Sequence, residues 1–253
     1  HHAQSQLKRF LNCIGGYTGS VNTYSYAAAE VVVPHILGSF REHIDSSTSW
    51  NSIIDNCELF VALGGIPLKN GQISAGGTGK HVQRNGLFSA YEAGIEFVNV
   101  SPLKSDIEHK IQADWIAIRP STDTAFLLSL AHTLITKNLV DIDFINKYTV
   151  GFEQFSEYLF GKQDGIPKSA KWGADICNIP EKKIIDLASA MSRKKTMISV
   201  SWSLTRQDHG EQPFWAAIAL ASMLGQIGKP GTGLGFGYSA MNHIGLNRRQ
   251  MRY

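Results

Sequence analysis

Hydrophobic and polar positions along this chain predict strands separated by helices. Short apolar runs of strand length occur at 59–63, 95–100, 114–118 and 196–200. Between them, apolar residues recur with helical spacing. The runs are followed by glycine, proline, serine or arginine, residues typical of loops. We therefore expect repeated strand–helix–strand units.

The helical segments are indicated by periodicity and by capping residues. The clearest helix begins after Ser121 or Thr122, either of which can cap it, and runs through Lys137. Asp123 stands in its first turn, where a negative charge suits the helix dipole. Further helices are predicted at 81–93, 143–148, 152–160, 169–176, 180–191 and 211–227.

This alternation predicts an α/β fold, a doubly wound and mostly parallel sheet flanked by helices. Ligands of such sheets bind outside the carboxyl ends of the strands. The candidate binding segments are therefore 64–67, 101–102, 119–123 and 201–206. The segment 228–237 carries five glycines among ten residues and is predicted to be a loop.

Composition narrows the class of protein. The chain has 253 residues, 43% of them hydrophobic and 18% charged, as in ordinary globular proteins. A formal charge of +3 without a basic stripe argues against a nucleic-acid binder. No apolar stretch reaches the roughly 20 residues that a membrane span requires.

Cysteines and termini add little chemistry. Cys13, Cys57 and Cys177 are widely separated and form no CxxC pair, so we expect buried free thiols. The first residues contain no apolar signal-peptide core, which leaves the compartment open. The carboxyl end shows no closing helix or strand, and both ends look cut, so we expect an internal piece of a longer chain.

Several segments, in a fixed order and spacing, resemble one family. They are RFLNCIGGYTG at 9–19, YS at 24–25, PHILGS at 34–39, TSW at 48–50, AHTL at 131–134, WSL at 202–204 with Arg206, HGEQ at 209–212 and ASMLGQIGKPG at 221–231. Together they resemble the serine-ligated dimethyl-sulfoxide reductase family of molybdopterin oxidoreductases, which includes trimethylamine-N-oxide and biotin-sulfoxide reductases. The resemblance spans nearly the whole chain.

The resemblance implies a metal ligand and a cofactor. In the family, two molybdopterin guanine dinucleotides supply sulfur ligands to molybdenum, or to tungsten, and a serine of a Tyr-Ser pair completes the protein ligation. Tyr24 and Ser25 match that pair and are the predicted catalytic residues, with Ser25 on the metal. Residues alone leave two alternatives open: Ser25 can cap the helix predicted from Ala27, and Tyr24 can be core packing.

The resemblance also points to residues that bind the dinucleotide. Arginine offers paired donors to phosphate, and glycine permits close backbone approach to a pyrophosphate. A solvated loop with ordinary salt bridges is the alternative, and Asp123 serves equally as a first-turn residue. The predicted cofactor residues are Trp202, Ser203, Arg206, His209, Gln212, Thr122, Asp123, Gly64, Gly231 and Gly233.

Four residues, in three segments, depart from the family pattern. Ile66 precedes Pro67 where relatives have asparagine or aspartate, and Ser101 precedes Pro102 where many have aspartate. Both changes remove polar groups that would help to hold a guanosine. After Ser25, Tyr26 and Ala27 replace the usual Thr-Gly, which changes the volume beside the metal.

The resemblance implies a reductase of S-oxides or N-oxides that acts by oxygen-atom transfer to the metal. It further implies an electron-donor protein, with a c-type cytochrome as one candidate, and slightly favours the periplasm. The predicted parts are a metal-ligand segment at 1–50, the dinucleotide-binding domain at 51–240 and the start of a following region at 241–253.

Two other classes of protein are alternatives to a reductase. A non-catalytic scaffold domain in an electron-transfer assembly would explain the polar groups lost at Ile66 and Ser101. An NAD-binding dehydrogenase fits poorly, because Gly64-Gly65 lacks the spaced glycines of GxGxxG after the first strand.

Overall fold

A parallel sheet forms the centre of the structure, a computed structural model that describes residues 3–19, 23–72 and 80–245. The sheet in these residues has five strands, all paired in parallel. They are β1 (Leu59–Leu63), β2 (Glu96–Val100), β3 (Asp114–Ile116), β4 (Thr196–Val200) and β5 (Gly233–Phe236).

Helices precede, connect and cover the strands. The α-helices in the described residues are α1 (Ala3–Cys13), α2 (Ala27–Leu37), α3 (Phe40–Asp45), α4 (Trp50–Asn56), α5 (Gln83–Glu92), α6 (Asp123–Thr136), α7 (Ile142–Tyr148), α8 (Phe152–Leu159), α9 (Ala170–Cys177), α10 (Glu181–Arg193) and α11 (Gln212–Met223). Short 3-10 helices occur at Lys104–Asp106 and Trp202–Thr205.

The strand order is β3-β2-β1-β4-β5. Leu59 is in register with Glu96 of β2 and with Thr196 of β4, so β1 lies at the centre. Every residue of β1 and β4 is buried, as expected for parallel strands covered on both faces. This confirms the predicted α/β class with a parallel, helix-flanked sheet.

The core is continuous from α2 to the last strand. Ala29 and Val33 of α2 and Phe40 of α3 are buried in the same cluster as the sheet residues. Helix α6 packs against α9, α10 and α11, and α3 packs against β5. The domain boundary expected at residue 50 stays a prediction.

Two predicted segments differ in the structure. The glycine-rich segment 228–237 is not only a loop, because it contains β5, in which Leu234 pairs with Ile198 of β4. Helix α11 ends at Met223 rather than near Ile227. The reason is Gly225, which adopts a left-handed φ of 63° just after the helix.

The three cysteines are free thiols. Burial raises the pKa of both Cys57 and Cys177 to about 11, which keeps these thiols protonated and unreactive. Cys13 was expected to be buried and is instead exposed, because α1 projects its residues to solvent. Among the described helices, none combines the length and apolar character needed to cross a membrane.

Candidate functional site

The strand order reverses between β1 and β4, and we call the edge formed by the carboxyl ends of these two strands the crevice. From β1 the chain builds β2 and β3 on one side, and then β4 and β5 on the other. Ligands of doubly wound sheets bind where the order reverses in this way. Ser201, the first residue after β4, donates its amide to the carbonyl of Leu63 at 2.9 Å. The two strand ends therefore meet in the crevice, which we take as the candidate site.

Gly64 allows this close approach. It follows β1 with a left-handed φ of 78°. A Cβ at Gly64 would lie 2.6 Å from Leu204 Cδ1, 2.7 Å from Ser201 Cβ and 3.0 Å from Ser203 Oγ. No side chain fits there without displacing the loop after β4. Gly64 was predicted as a cofactor residue, and the structure gives it a packing reason as well.

The post-β4 segment (residues 201–206) contains a 3-10 helix at Trp202–Thr205. The Ser201 hydroxyl caps it by accepting the amide of Ser203 at 3.3 Å. Ser203 is exposed, whereas Trp202 is only 8% exposed. Within the described residues, the indole Nε1 of Trp202 is buried and has no hydrogen-bond partner. A buried donor without an acceptor raises the free energy of the folded state. A ligand that supplies an acceptor would therefore stabilise the protein.

The Tyr24-Ser25 pair contacts the post-β4 segment. Arg206 Nε donates to the carbonyl of Tyr24 at 3.2 Å, and Thr205 Oγ1 lies 3.4 Å from the carbonyl of Ser25. The Tyr26 ring packs on Trp202, with centroids 4.4 Å apart. These contacts bring the predicted metal-ligand residues to the carboxyl end of β4.

The alternatives for Tyr24 and Ser25 do not match the structure. The residue at the N-cap of α2 is Tyr26, with no side-chain cap bond, so Ser25 is not the helix cap. Ser25 is half-buried, and its amide donates to Thr23 Oγ1 at 3.2 Å. The side chain of Tyr24 is 97% exposed, which excludes core packing.

His209 and Gln212 lie on the turn that leads into α11. His209 adopts a left-handed φ of 53°, and its Nδ1 is 3.5 Å from Glu211 Oε1. Gln212 Nε2 donates to the same oxygen at 3.2 Å. Gly210 holds this turn against the post-β4 segment, because a Cβ there would lie 2.1 Å from the Thr205 carbonyl. His209 therefore lies in the loop that contains Arg206, and Gln212 is the first residue of α11.

Thr122 and Asp123 lie beyond the carboxyl end of β3, at the start of α6. The Thr122 hydroxyl donates to the Arg119 carbonyl at 2.7 Å, so it makes no cap bond to the helix, contrary to the capping prediction. Asp123 is 8% exposed, and burial raises the pKa of its carboxyl to about 6. β3 and β4 are separated by two strands, or about 14 Å at ordinary strand spacing. The two ends of an extended ligand could occupy these positions.

The structure does not bring Gly231 and Gly233 to this edge. Gly233 begins β5, at the opposite, amino end of the sheet. A Cβ on Gly231 would lie 2.5 Å from the Ser52 carbonyl, and one on Gly233 would lie 3.1 Å from Ile227 Cα. Close packing therefore explains both glycines. Gly237, at the carboxyl end of β5, is the glycine of this segment that approaches Trp202, within 3.2 Å of a built Cβ.

Sequence reasoning missed several residues of the site. Thr205 lies between two matched motif residues, and its position after a predicted strand could have indicated it. Tyr26 was noted only as a departure from the family, and Gly237 only as part of a glycine-rich segment. Their contacts with Trp202 carry no local sequence signal.

Asp106 connects the loops that follow β1 and β2 through hydrogen bonds. Ser101 Oγ donates to Asp106 Oδ2 at 2.7 Å, and Ile66 donates its amide to the Asp106 carbonyl at 2.7 Å. Ile66 is fully buried and Ser101 is 1% exposed. Lys69 Nζ lies 3.8 Å from the other carboxylate oxygen. The two departures from the family pattern thus belong to a loop junction rather than to an open polar surface.

The side chains at this edge fit a polar, phosphate-bearing group. Trp202 offers an unpaired buried N–H, Ser203 an exposed hydroxyl and Arg206 a cation that contacts the protein through Nε. Asp123 adds a buried carboxylate that could accept hydrogen bonds. Over the part of the chain that the structure describes, no group of three or more His, Cys, Asp or Glu could hold a metal ion.

The fold and the polar side chains at this edge define a class: an α/β protein with a doubly wound parallel sheet, in which the carboxyl edge of the strands is the expected ligand site. The family profile described as "Molybdopterin oxidoreductase" matches residues 1–251. The chain belongs to the molybdopterin oxidoreductase family, as the sequence resemblance predicted.

Individual relatives agree with this assignment. The chain is 42% identical to "Biotin sulfoxide reductase" of Cereibacter sphaeroides over 97% of its own length and 33% of that protein. It is 40% identical to "Trimethylamine-N-oxide reductase" of Haemophilus influenzae over 96% of this chain and 29% of that protein. It is 37% identical to "Dimethyl sulfoxide/trimethylamine N-oxide reductase" of Cereibacter sphaeroides, with coverage of 96% and 29%. The chain thus spans a third or less of the length of these curated relatives.

A solved structure shares the fold. "Acetylene Hydratase from Pelobacter acetylenicus" superposes with a TM-score of 0.61 at 20% identity, over 88% of this chain and 28% of that one. At this identity the likeness concerns the fold alone.

Proposed function

We propose that this chain carries the metal-ligand segment and the dinucleotide-binding domain of a molybdenum oxotransferase that reduces S-oxides or N-oxides. The segment would comprise residues 1–50, the domain residues 51–240, and residues 241–253 would begin the following region. Similarity to sulfoxide and N-oxide reductases supports the reaction class. The observation that carries the proposal is the attachment of Tyr24-Ser25 to the post-β4 segment, beside the crevice.

Ser25 is the proposed protein ligand to the metal. Its deprotonated oxygen is a hard anionic ligand suited to a high-valent metal. Ser25 is half-buried and does not cap α2, which supports this role. Tyr24, exposed beside it, is proposed to border the metal on the substrate side.

The residues at the carboxyl edge are proposed to hold a molybdopterin guanine dinucleotide, one of two on the metal. Arg206 would donate to phosphate, and Trp202 would donate its unpaired N–H. Asp123 would accept two hydrogen bonds from a guanine edge. Ser203, His209, Gln212, Thr122 and Gly64 would complete the binding edge, whereas Gly231 and Gly233 would support it by packing.

The bound metal group would supply two-electron chemistry for oxygen transfer from the substrate, with electrons from a donor protein, for which a c-type cytochrome is one candidate. The chain itself would bind and orient that group. Ser25 would hold the metal, and the post-β4 segment would hold the dinucleotide. The buried Asp123 selects the nucleobase.

Replacing the proposed ligand tests the function. In the full-length protein, Ser25→Ala should lower turnover of dimethyl sulfoxide, trimethylamine N-oxide and biotin sulfoxide by about 100-fold or more, while secondary structure is retained. Ser89→Ala, an exposed serine on α5, serves as the matched control and should keep full turnover. Ordinary activity in Ser25→Ala would exclude the ligand assignment.

A non-catalytic scaffold is the second candidate function. It is favoured by the ends of β1 and β2, where Ile66 is buried and the Ser101 hydroxyl is already bonded to Asp106. Metal analysis of the full-length protein separates the two functions and also identifies molybdenum or tungsten. A scaffold would contain neither metal in stoichiometric amount and would show no pterin fluorescence after oxidation.

A further inference from the structure

The three residues Tyr24, Ser25 and Tyr26 are all attached to one short stretch of chain, the post-β4 segment. Arg206 donates to the carbonyl of Tyr24. The Thr205 hydroxyl, which donates to the Trp202 carbonyl at 2.8 Å, lies 3.4 Å from the carbonyl of Ser25. The third attachment is the Tyr26 ring, 4.4 Å from the Trp202 ring. The partners are about 180 residues away along the chain.

These contacts constrain the backbone of Ser25 from both sides. The Tyr24 carbonyl belongs to the peptide plane before Ser25, and the Ser25 carbonyl belongs to the plane after it. Because peptide groups are planar, holding both planes fixes φ and ψ of the serine. Only rotation about χ1 then remains to direct the hydroxyl, and that rotation has three staggered positions. The position of the oxygen therefore depends on how firmly the two planes are held.

Of the three attachments, the Tyr26 ring is the most deeply packed. The Arg206 bond is long, at 3.2 Å, and Arg206 is exposed. The Thr205 hydroxyl makes its shorter bond to the Trp202 carbonyl and only a 3.4 Å contact to Ser25. The ring of Tyr26 contacts Trp202, which is 8% exposed, and also Phe40, which is 3% exposed, at a centroid distance of 5.5 Å. Phe40 in turn packs on Phe236 of β5. Tyr26 thus joins the residue after Ser25 to the core beneath the crevice.

We propose that Tyr26 is a positioning residue for Ser25: its ring, packed against Trp202 and Phe40, holds the serine backbone in the orientation that ligates the metal. Tyr26 acts through Ser25 and does not itself touch the metal. This inference rests on the proposed function, because it requires Ser25 to be a metal ligand. It also gives a use to a residue that differs from the family pattern.

The test uses three variants of the full-length holoenzyme. Tyr26→Ala removes the ring. Tyr26→Leu also removes the ring but keeps much of its apolar volume, so that the variant stays folded, and Tyr26→Phe retains the ring without the hydroxyl. Tyr91→Ala is the control, because Tyr91 is a half-buried tyrosine on α5 that packs against Phe97. X-ray absorption at the metal measures the distance to the serine oxygen. Metal analysis measures how much molybdenum each variant retains, and steady-state kinetics separate effects on kcat from effects on KM.

Tyr26→Ala and Tyr26→Leu should retain molybdenum, lose or lengthen the metal–oxygen contact of Ser25, and lower kcat by about 100-fold at nearly constant KM. Tyr26→Phe and Tyr91→Ala should match the wild type. In cofactor-free protein, amide hydrogen exchange of residues 24–26 should be faster in the Ala and Leu variants than in Tyr26→Phe.

Each contrary result has a distinct meaning. Unchanged metal–oxygen distance and kcat in both the Ala and Leu variants would overturn the inference and leave the proposed function intact. Loss of molybdenum in these variants would also overturn it, because Tyr26 would then retain the cofactor rather than orient Ser25. A wild-type protein without the metal, seen before any variant is made, would reject the proposed function and this inference with it.

Discussion

Gln226 completes the hydrogen bonding of Thr196 at the start of β4: the amide oxygen of Gln226 accepts the Thr196 backbone N–H at 2.5 Å. Its amide nitrogen donates to the carbonyls of Lys194 at 2.9 Å and Met191 at 3.2 Å. One buried side chain thus serves the backbone where α10 ends and β4 begins.

We predict that Gln226→Leu lowers the free energy of unfolding by about 1–3 kcal/mol, because the buried Thr196 N–H loses its acceptor, whereas the Met191 and Lys194 carbonyls keep the Thr196 hydroxyl within reach. Gln163→Leu, on an exposed loop, provides the control and should change stability by less than about 0.5 kcal/mol. Thermal unfolding of the full-length protein measures both. Equal midpoints for the two variants would contradict the role assigned to Gln226.

Steric collision and backbone strain should contribute separately to the loss of stability when Gly64 is replaced. Gly94→Ala should cost about 1 kcal/mol, since Gly94 has a φ of 90° but no atom within 4 Å of a built Cβ. Gly64→Ala, at a similar φ, should cost about 2–3 kcal/mol more, because its Cβ collides with the loop after β4. Thermal unfolding of the two variants gives the difference. If they lost equal stability, the close approach of the strand ends would not be as described.

The buried carboxyl of Asp123 predicts a pH dependence of stability. Its pKa rises from 3.8 to about 6 on folding, so the folded state holds the proton more tightly. The associated stability is present below pH 4 and is lost as the pH rises through 6. We predict that Asp123→Asn stabilises the cofactor-free protein by about 2–3 kcal/mol at pH 7, with little effect at pH 4.

Unfolding measured from pH 4 to pH 8 tests this difference. Asp143→Asn is the control, because Asp143 also occupies the first turn of a helix but is exposed. A stabilisation by Asp123→Asn that did not vary with pH would contradict the burial argument.

Lys168 is predicted to stabilise the loop after α8. Its ammonium contacts Asp164 Oδ2 at 2.5 Å and the Ile166 carbonyl at 2.6 Å, and it lies 4.7 Å from the centre of the Tyr158 ring. The side chain is only 3% exposed. Lys168→Met should therefore lower stability by about 1–3 kcal/mol through lost hydrogen bonds and cation–π contact.

The matched control is Lys171→Met. Lys171 forms an ion pair with Asp175 at the same i,i+4 spacing, but both side chains are exposed. Exposed pairs of this kind contribute little, so thermal unfolding should barely change. A similar loss in both variants would show that burial of Lys168 does not matter.

Much of the sheet could be predicted because its strands are short and continuously apolar. The segments 59–63 and 196–200 matched β1 and β4, since strands covered on both faces require apolar residues throughout. β5 could not be predicted in the same way. Its sequence, Gly233–Phe236, consists half of glycine, a composition typical of loops, and only pairing with β4 makes it a strand.

The candidate site, too, could be predicted only in part from the sequence. The strand-end rule indicates residues 201–206, because they follow a recognisable strand. It cannot place Tyr24 and Ser25 beside them, since that contact depends on tertiary packing of Tyr26 against Trp202. The family resemblance assigned Gly231 and Gly233 to the ligand edge, whereas the direction of β5 places them at the other end of the sheet. Strand direction is a property of the assembled sheet.

The position of β4 beside β1 has a consequence for how the protein is made. During synthesis, β1 leaves the ribosome long before β4, with α5 through α10 in between. Until β4 arrives, the wholly apolar β1 has an unsatisfied edge that can recruit other chains. Contacts this distant along the chain form slowly. The crevice is thus among the last parts of the sheet to assemble, and a ligand can bind there only after that step.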